Sequence, residues 1–243
     1  MSKPVIQLKM MGRFGNQLFQ YAFARAVCEK HGFELKYERW IGDEIFQLGM
    51  DPCILDESLP VVNESSSEIL KGNVTIKGYC QLSSCAVMYS KQDVKKWFKF
   101  VTWIEEYLSF HIPIVTTTAH RRLGDYFGYG YPVVSKKSYE QASERFNLGP
   151  LTWVTEEIPV SVSMPDRMNF LPDFWLLMKS KNLLRGNSSF SWWASSLADD
   201  SQNVYAPIVD FLEGGKEHDC IFVKGNWPRF TSLDFVQELK MNV

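Results

Sequence analysis

The sequence predicts an α/β protein made of two successive αβ series, and three observations predict it. Short apolar runs of strand length alternate with stretches whose apolar residues recur at helical spacing. Glycine-bearing turns punctuate them, as in MGRFGNQ (Met11 to Gln17) and RGNSS (Arg185 to Ser189). The chain has 243 residues, 45% of them hydrophobic and 22% charged, enough for two modest lobes or one elaborated lobe and unlike a disordered or collagen-like chain.

The elements follow in order. VIQLKM reads as a buried first strand, and the two glycines of MGRFGNQ allow a tight turn into a helix. Leu18, Phe19, Ala22, Phe23, Ala26 and Val27 give that helix one broad apolar face, and Gly32 ends it. FELKY is a second strand. Strand, glycine turn, helix, strand is how a parallel α/β domain opens. From Gly42 to Lys71 the chain is rich in Asp, Glu, Pro and Ser and reads as irregular, ahead of a strand near Val74 to Gly78. One helix is expected over Lys91 to Leu108, capped by Ser90, with Val94, Trp97, Phe98, Val101, Ile104 and Leu108 on one side. IPIVTTTA is strand-like, and the lobe boundary is placed close to His111, giving lobes 1–111 and 112–243. The second series runs through LTWV (strand), PDFWLLMKS (helix), NLLRG (buried strand), SSFSWWASSLA (helix) and NVYAP (strand), and SLDFVQELKM is expected to form a closing helix.

Composition removes several classes of function. A formal net charge of −2 does not suit a nucleic-acid-binding face, so any anion must be met by local charge. Five scattered cysteines with no C-x-x-C or zinc spacing point to reduced thiols rather than a disulfide framework. No D-x-D or H-E-x-x-H motif appears, so no metal and no cofactor is expected. The N-terminus lacks a signal-peptide run and no stretch is apolar enough for a membrane span. A cytoplasmic protein follows, with peripheral membrane association left open.

Three stretches carry candidate chemistry. In AHRRLGDYFGYG (Ala119 to Gly130), strand alternation puts His120 and Arg122 on one face and Arg121 on the other. Gly124 lets the chain turn, so that Asp125 folds back on Arg122 or His120 and fixes it, leaving the outward donors for an anion. The plain alternative is a surface ion pair at a glycine turn. In RGNSSFSWWASSL, a buried strand leads into a helix whose first turn starts at Ser188 or Ser189. Its free N–H groups and positive dipole end suit a phosphate. The plain alternative, a Ser-capped helix, is preferred for Trp192 and Trp193, which read as core. In MGRFGNQ, Gly12 and Gly15 permit close backbone approach and Arg13 and Asn16 overhang the turn, but this is neither a dinucleotide fingerprint nor a P-loop. Its plain alternative is a turn in which Asn16 caps the helix.

GRFGNQLFQYAFARA, HRRLGDY and GNSSFSWWASSL followed by VYAP, in that order, resemble the α-1,2-fucosyltransferases of glycosyltransferase family 11 and, more distantly, the wider fucosyltransferase superfamily. GYCQ (Gly78 to Gln81) resembles a further segment, and the likeness runs from about Met10 to Pro207. It implies a GT-B-like fold of two Rossmann-like lobes with a cleft between them, the N-terminal lobe facing the acceptor and the C-terminal lobe binding the donor. It also implies a GDP-fucose donor, no catalytic metal and inverting transfer to a glycan hydroxyl, the 2-OH of galactose. Arg122 takes the place of the family's diphosphate-binding, catalytic arginine, with His120 and Asp125 beside it. Ser188 and Ser189 begin the donor-binding helix, and Arg13 and Asn16 belong to the loop near the sugar.

The chain also departs from the family. Leu123 stands where many relatives have a second arginine, and Thr155, Glu156 and Glu157 stand where relatives have Ser-Asp-Asp, which keeps a carboxylate one methylene longer. The alternatives are a protein O-fucosyltransferase-like enzyme, a transferase using another nucleotide sugar, and a nucleotide- or carbohydrate-binding pseudoenzyme. The catalytic base, the acceptor and the oligomeric state are left open, and the cytoplasm of a bacterium or the product of a viral gene is the expected setting.

Overall fold

The computed structural model describes residues 2–157, 160–209 and 213–225. The chain divides into two compact units, Met1–Ile104 and Glu105–Val243. The closing helix expected at SLDFVQELKM lies outside the described residues.

The first unit opens with β1 (Val5–Leu8), whose Ile6, Gln7 and Leu8 are buried, then α1 (Phe14–His31) and β2 (Glu34–Tyr37). Gly32 closes α1 in the left-handed region at φ 71°, where a side chain would be strained. Short α2 (Gly42–Ile45) and β3 (Val61–Val62) lie within the stretch expected to be irregular, and β4 (Val74–Ile76) follows. All pairings are parallel and the sheet order is β2-β1-β4-β3, with Ile6 opposite both Leu35 and Val74. Buried Gln7 does not sit unsatisfied: its Oε1 accepts from Asp56 N–H at 2.8 Å.

After α3 (Ser83–Ala86), the single helix expected over Lys91 to Leu108 is two helices, α4 (Lys91–Trp97) and α5 (Thr102–His111). Ser90 caps α4 in a reciprocal box with Asp93, as a Ser three residues before an acid suggests. The break has a tertiary cause. Between the helices Phe100 bridges Phe46, Gln47 N–H donates to Lys99 C=O, and Val101 N–H donates to Ile45 C=O. Those groups give up helical partners so that Phe98 and Phe100 can pack on Phe46 at ring separations of 5.2 and 5.0 Å.

The second unit contains β5 (Thr117–His120), α6 (Gly124–Tyr129), β6 (Val133–Val134), α7 (Lys136–Phe146), β7 (Thr152–Val154), α8 (Leu171–Lys179), β8 (Asn182–Leu184), α9 (Ser189–Leu197), β9 (Asn203–Pro207), β10 (Glu217–His218) and β11 (Phe222–Lys224). Its main sheet has the order β11-β9-β8-β5-β7, parallel except for β11. A small parallel pair joins β6 to β10. The core gathers Ala119, Val134, Tyr139, Ala142, Leu148, Leu184 and Tyr205, and Trp192 and Trp193 are fully buried on α9, as their core reading expects.

The order of the second sheet determines where its loops open. The chain steps from β5 out to β7, then returns past β5 to β8 and continues to β9. Connections therefore leave β5 and β8 in opposite directions, and the crevice at their carboxyl ends is the position where open α/β sheets bind ligands. Among the described residues no helix is long and apolar enough to cross a membrane.

Candidate functional site

His120 is the last residue of β5, and Arg121 and Arg122 follow it out of the sheet. Alternation holds across the three. Arg121 turns to the small sheet, where Nε donates to Val134 C=O at 3.1 Å and the guanidinium pairs with Glu217. Arg122 lies near enough to His120 for its charge to act on the ring.

His120 is 5% exposed, its Nδ1 has no hydrogen-bond partner among the described residues, and its ring stands 5.7 Å from that of Phe190. Burial first, and then the charge of Arg122, pull its pKa down to about 3. It is therefore a neutral imidazole, with one N–H to give rather than a positive charge. Its backbone carbonyl accepts from the Tyr139 hydroxyl at 2.7 Å.

Arg122, with its side chain 16% exposed, is held on both arms. Nη2 donates to Asp125 Oδ1, Nη1 pairs with Glu156 Oε1, and the guanidinium lies 5.6 Å from the centre of the Tyr126 ring. Asp125 folds back on Arg122 as expected, and Glu156, which was not expected as its partner, takes the other arm. The cause is the sheet. His120 pairs with Val154, so β5 and β7 end side by side and the residues after each strand meet. Glu156 also accepts from Leu123 N–H at 3.0 Å. A Cβ on Gly124 would stand 3.1 Å from its carboxylate, which favours glycine there. Thr155 is buried between Val154 and Glu156.

From β8, the chain passes through Arg185, Gly186 and Asn187 into α9. Ser188 is the N-cap, its Oγ accepting from Phe190 N–H at 3.2 Å, and Ser189 is the first helical residue. The capping that was the plain alternative is thus present, and one first-turn N–H is already used. A Cβ on Gly186 would come within 2.9 Å of the His120 carbonyl and 3.3 Å of its Nδ1, so the close approach of the β5 and β8 ends depends on that glycine. Asn187 Nδ2 donates to Pro132 C=O, and its own carbonyl accepts from the Tyr126 hydroxyl at 2.9 Å. His120, Arg122, Asp125, Glu156 and Ser188 are thereby brought to one end of one sheet.

Arg13 and Asn16 belong to the first unit. Arg13, not Asn16, is the N-cap of α1, and its carbonyl accepts from Asn16 N–H at 2.8 Å. Asn16 sits in the first turn, with Oδ1 accepting from Gln81 Nε2 at 2.7 Å, which ties the loop after β1 to the GYCQ segment after β4. Gly12 has φ 74°, and a Cβ there would stand 2.9 Å from the Tyr79 ring.

Two residues at the second unit's site were not singled out from the sequence. Tyr126 links α6 to the start of α9, and burial raises its pKa to about 12. Arg185 is 1% exposed, its Nε and Nη2 have no hydrogen-bond partners among the described residues, and burial lowers its pKa to about 10. Tyrosines crowd the GDYFGYGY segment, a visible but unspecific signal, while Arg185 stood inside a quoted motif as an ordinary strand-end residue. Among the described residues no group of three or more His, Cys, Asp or Glu is placed to hold a metal ion.

No protein-family model matches the chain, and no curated protein matches it in sequence. Solved structures do. The α-1,6-fucosyltransferase NodZ soaked with GDP-fucose aligns at a TM-score of 0.56 and 13% identity over 93% of this chain and 100% of its own. Fucosyltransferase NodZ from Bradyrhizobium aligns at 0.54 and 13% over 94% and 100%. A mutant of Arabidopsis thaliana FUT1 in complex with GDP aligns at 0.57 and 10% over 93% and 75%. The fold is accordingly the mixed α/β, GT-B-like architecture of these fucosyltransferases, with parallel sheets.

Proposed function

We propose that this chain transfers fucose from GDP-fucose to a hydroxyl of a glycan acceptor, and that the GDP diphosphate lies at the carboxyl ends of β5 and β8. One observation carries the reading: an arginine, a neutral histidine and a capped helix N-terminus converge at the switch point of a parallel sheet. The fold likeness to structures soaked with GDP-fucose or in complex with GDP supports the donor. The resemblance of the three motifs supports the finer assignment, family 11 with the 2-OH of galactose as acceptor.

Transfer breaks the bond between the anomeric carbon and the β-phosphate oxygen, forms a bond from that carbon to the acceptor oxygen, and releases the acceptor's proton. Positive character grows on the ring and negative charge on GDP. In this reading Arg122 and the amides of α9 receive the growing negative charge more strongly than the ground state, and the acceptor attacks from the opposite face with inversion. No metal is assigned a role. Asp125 and Glu156 hold the guanidinium in place before the nucleotide arrives. The diphosphate, with more charge and more acceptor oxygens than one carboxylate, displaces one of them.

Arg122→Ala is expected to lower turnover about 100-fold to 1000-fold, the usual cost of removing one such donor, while the circular dichroism spectrum is kept. A folded variant transferring fucose at the normal rate removes the assignment. A second reading, nucleotide binding without turnover, is favoured by the engagement of both arms of Arg122. It predicts GDP binding in calorimetry with no fucosylated product by mass spectrometry across galactose-containing acceptors.

A further inference from the structure

We propose that Arg185 is a second positive charge of the nucleotide site, an unpaired guanidinium set behind the anion that stabilises it through the protein interior. The proposal rests on reading the carboxyl ends of β5 and β8 as a diphosphate site. Arg185 directly follows Leu184, the last residue of β8, at the switch point of the sheet. It is 1% exposed, Nε and Nη2 lack hydrogen-bond partners, and no carboxylate pairs with it among the described residues.

An uncompensated buried charge is one of the costliest features a fold can carry, and packing alone would be served better by Met or Leu. The groups beside it do not neutralise it. The Tyr139 hydroxyl donates to the His120 carbonyl and the Tyr126 hydroxyl donates to the Asn187 carbonyl, so both phenols are protonated and spent. The first bond holds one phenol at the end of β5 and the second holds the other at the backbone leading into α9, and both phenols lie near enough to act on the guanidinium. One step from Arg185, Gly186 lies against His120, whose Nδ1 is likewise buried and without a hydrogen-bond partner among the described residues. Such a buried charge leaves a positive potential beside the N-terminus of α9, which an anion held there would offset.

Arg185 need not touch that anion. In a protein interior with an effective dielectric constant near 20, unit charges about 7 Å apart still interact strongly enough to change an affinity on the order of 10-fold to 100-fold. Arg185 is thus a positioning charge rather than a catalytic residue.

The test is calorimetric titration of the full chain with GDP and with inorganic pyrophosphate, beside thermal melting without ligand. Arg185→Met should weaken both affinities at least 10-fold while the ligand-free melting temperature stays level or rises, because a buried unpaired charge has been removed. Arg185→Lys, which keeps the charge, should stay within about 3-fold of the parent affinity. An Arg185→Met protein that binds pyrophosphate as tightly as the parent overturns the proposal, whatever its melting temperature. If Arg185→Met does not fold, the lysine variant decides: retained affinity supports the charge role, and a 10-fold loss overturns it. A parent chain that binds neither GDP nor pyrophosphate refutes the nucleotide reading itself, whereas a binding parent with an indifferent methionine variant refutes only the role of Arg185.

Discussion

His120 and Asp173 respond to pH in opposite directions. The His120 pKa falls from 6.5 to about 3, so the folded state resists protonation that the unfolded chain accepts. Its contribution to stability is complete above about pH 6.5 and is lost as pH falls toward 3. Asp173, in the first turn of α8, has its pKa raised from 3.8 to about 6, by burial first, with the Val160 N–H bond opposing and the charge of Glu156 adding. Its protonated form favours folding below about pH 4, and that contribution is lost as pH rises through 6. Between pH 4 and 6 the two slopes nearly cancel, because the unfolded chain binds one more proton at the histidine and one fewer at the aspartate. His120→Gln should leave the aspartate slope alone, so its stability should fall as pH rises from 4 to 6. Asp173→Asn, which keeps an acceptor for Val160, should gain on the order of 1–2 kcal/mol at pH 7 after allowance for solvent screening, and nothing at pH 4. Melting curves of the three proteins at pH 4, 5, 6 and 7 check both signs. A histidine variant that parallels the parent throughout contradicts the buried neutral imidazole.

Among the elements, α9 links sequence to site most directly. Ser188 satisfies the Phe190 N–H, and the helix behind it buries both tryptophans. Ser188→Ala should cost about 1 kcal/mol of stability by denaturant unfolding. It should also weaken GDP binding if the first turn faces the diphosphate, whereas an unchanged midpoint would mean the cap is not holding the turn. This helix, β8 and β9 were legible as short apolar runs, the two strands closed by Gly186 and Pro207. By contrast α7 went unread: KKSYEQASERF buries only Ser138, Tyr139 and Ala142, too narrow a face to stand out in so polar a stretch. The break at Phe98 was hidden for the opposite reason, since Phe98 and Val101 fit the helical period while the pairing of Phe100 with Phe46 is set more than fifty residues away. The pairing of Glu156 with Arg122 and, among the described residues, the lack of an acid paired with Arg185 are likewise products of strand neighbours, β7 beside β5 and β9 beside β8. A sequence shows the charges but not which of them the sheet brings together.

At the scale of the whole molecule, a net charge of −2 gives no general attraction for anions, so the proposed nucleotide affinity would have to come from local groups such as those at one end of the second unit's sheet. That makes donor choice measurable as a stability shift. A ligand that binds only the folded state at 100 times its Kd adds about 2.7 kcal/mol, and a chain of this size gains roughly 2–4 °C per kcal/mol. GDP-fucose and GDP should therefore raise the melting temperature by about 5–10 °C, with GDP-mannose close behind, because all share the diphosphate and guanosine. UDP-sugars, which share only the diphosphate and a ribose, should give smaller shifts. Hydrogen exchange locates the effect: amides of 120–126 and 185–190 should gain protection with GDP, and those of β1 to β4 should change least. A UDP-sugar that stabilises more than GDP-fucose would keep the anion site and discard the fucose donor. Protection confined to the first unit would discard the site at β5 and β8.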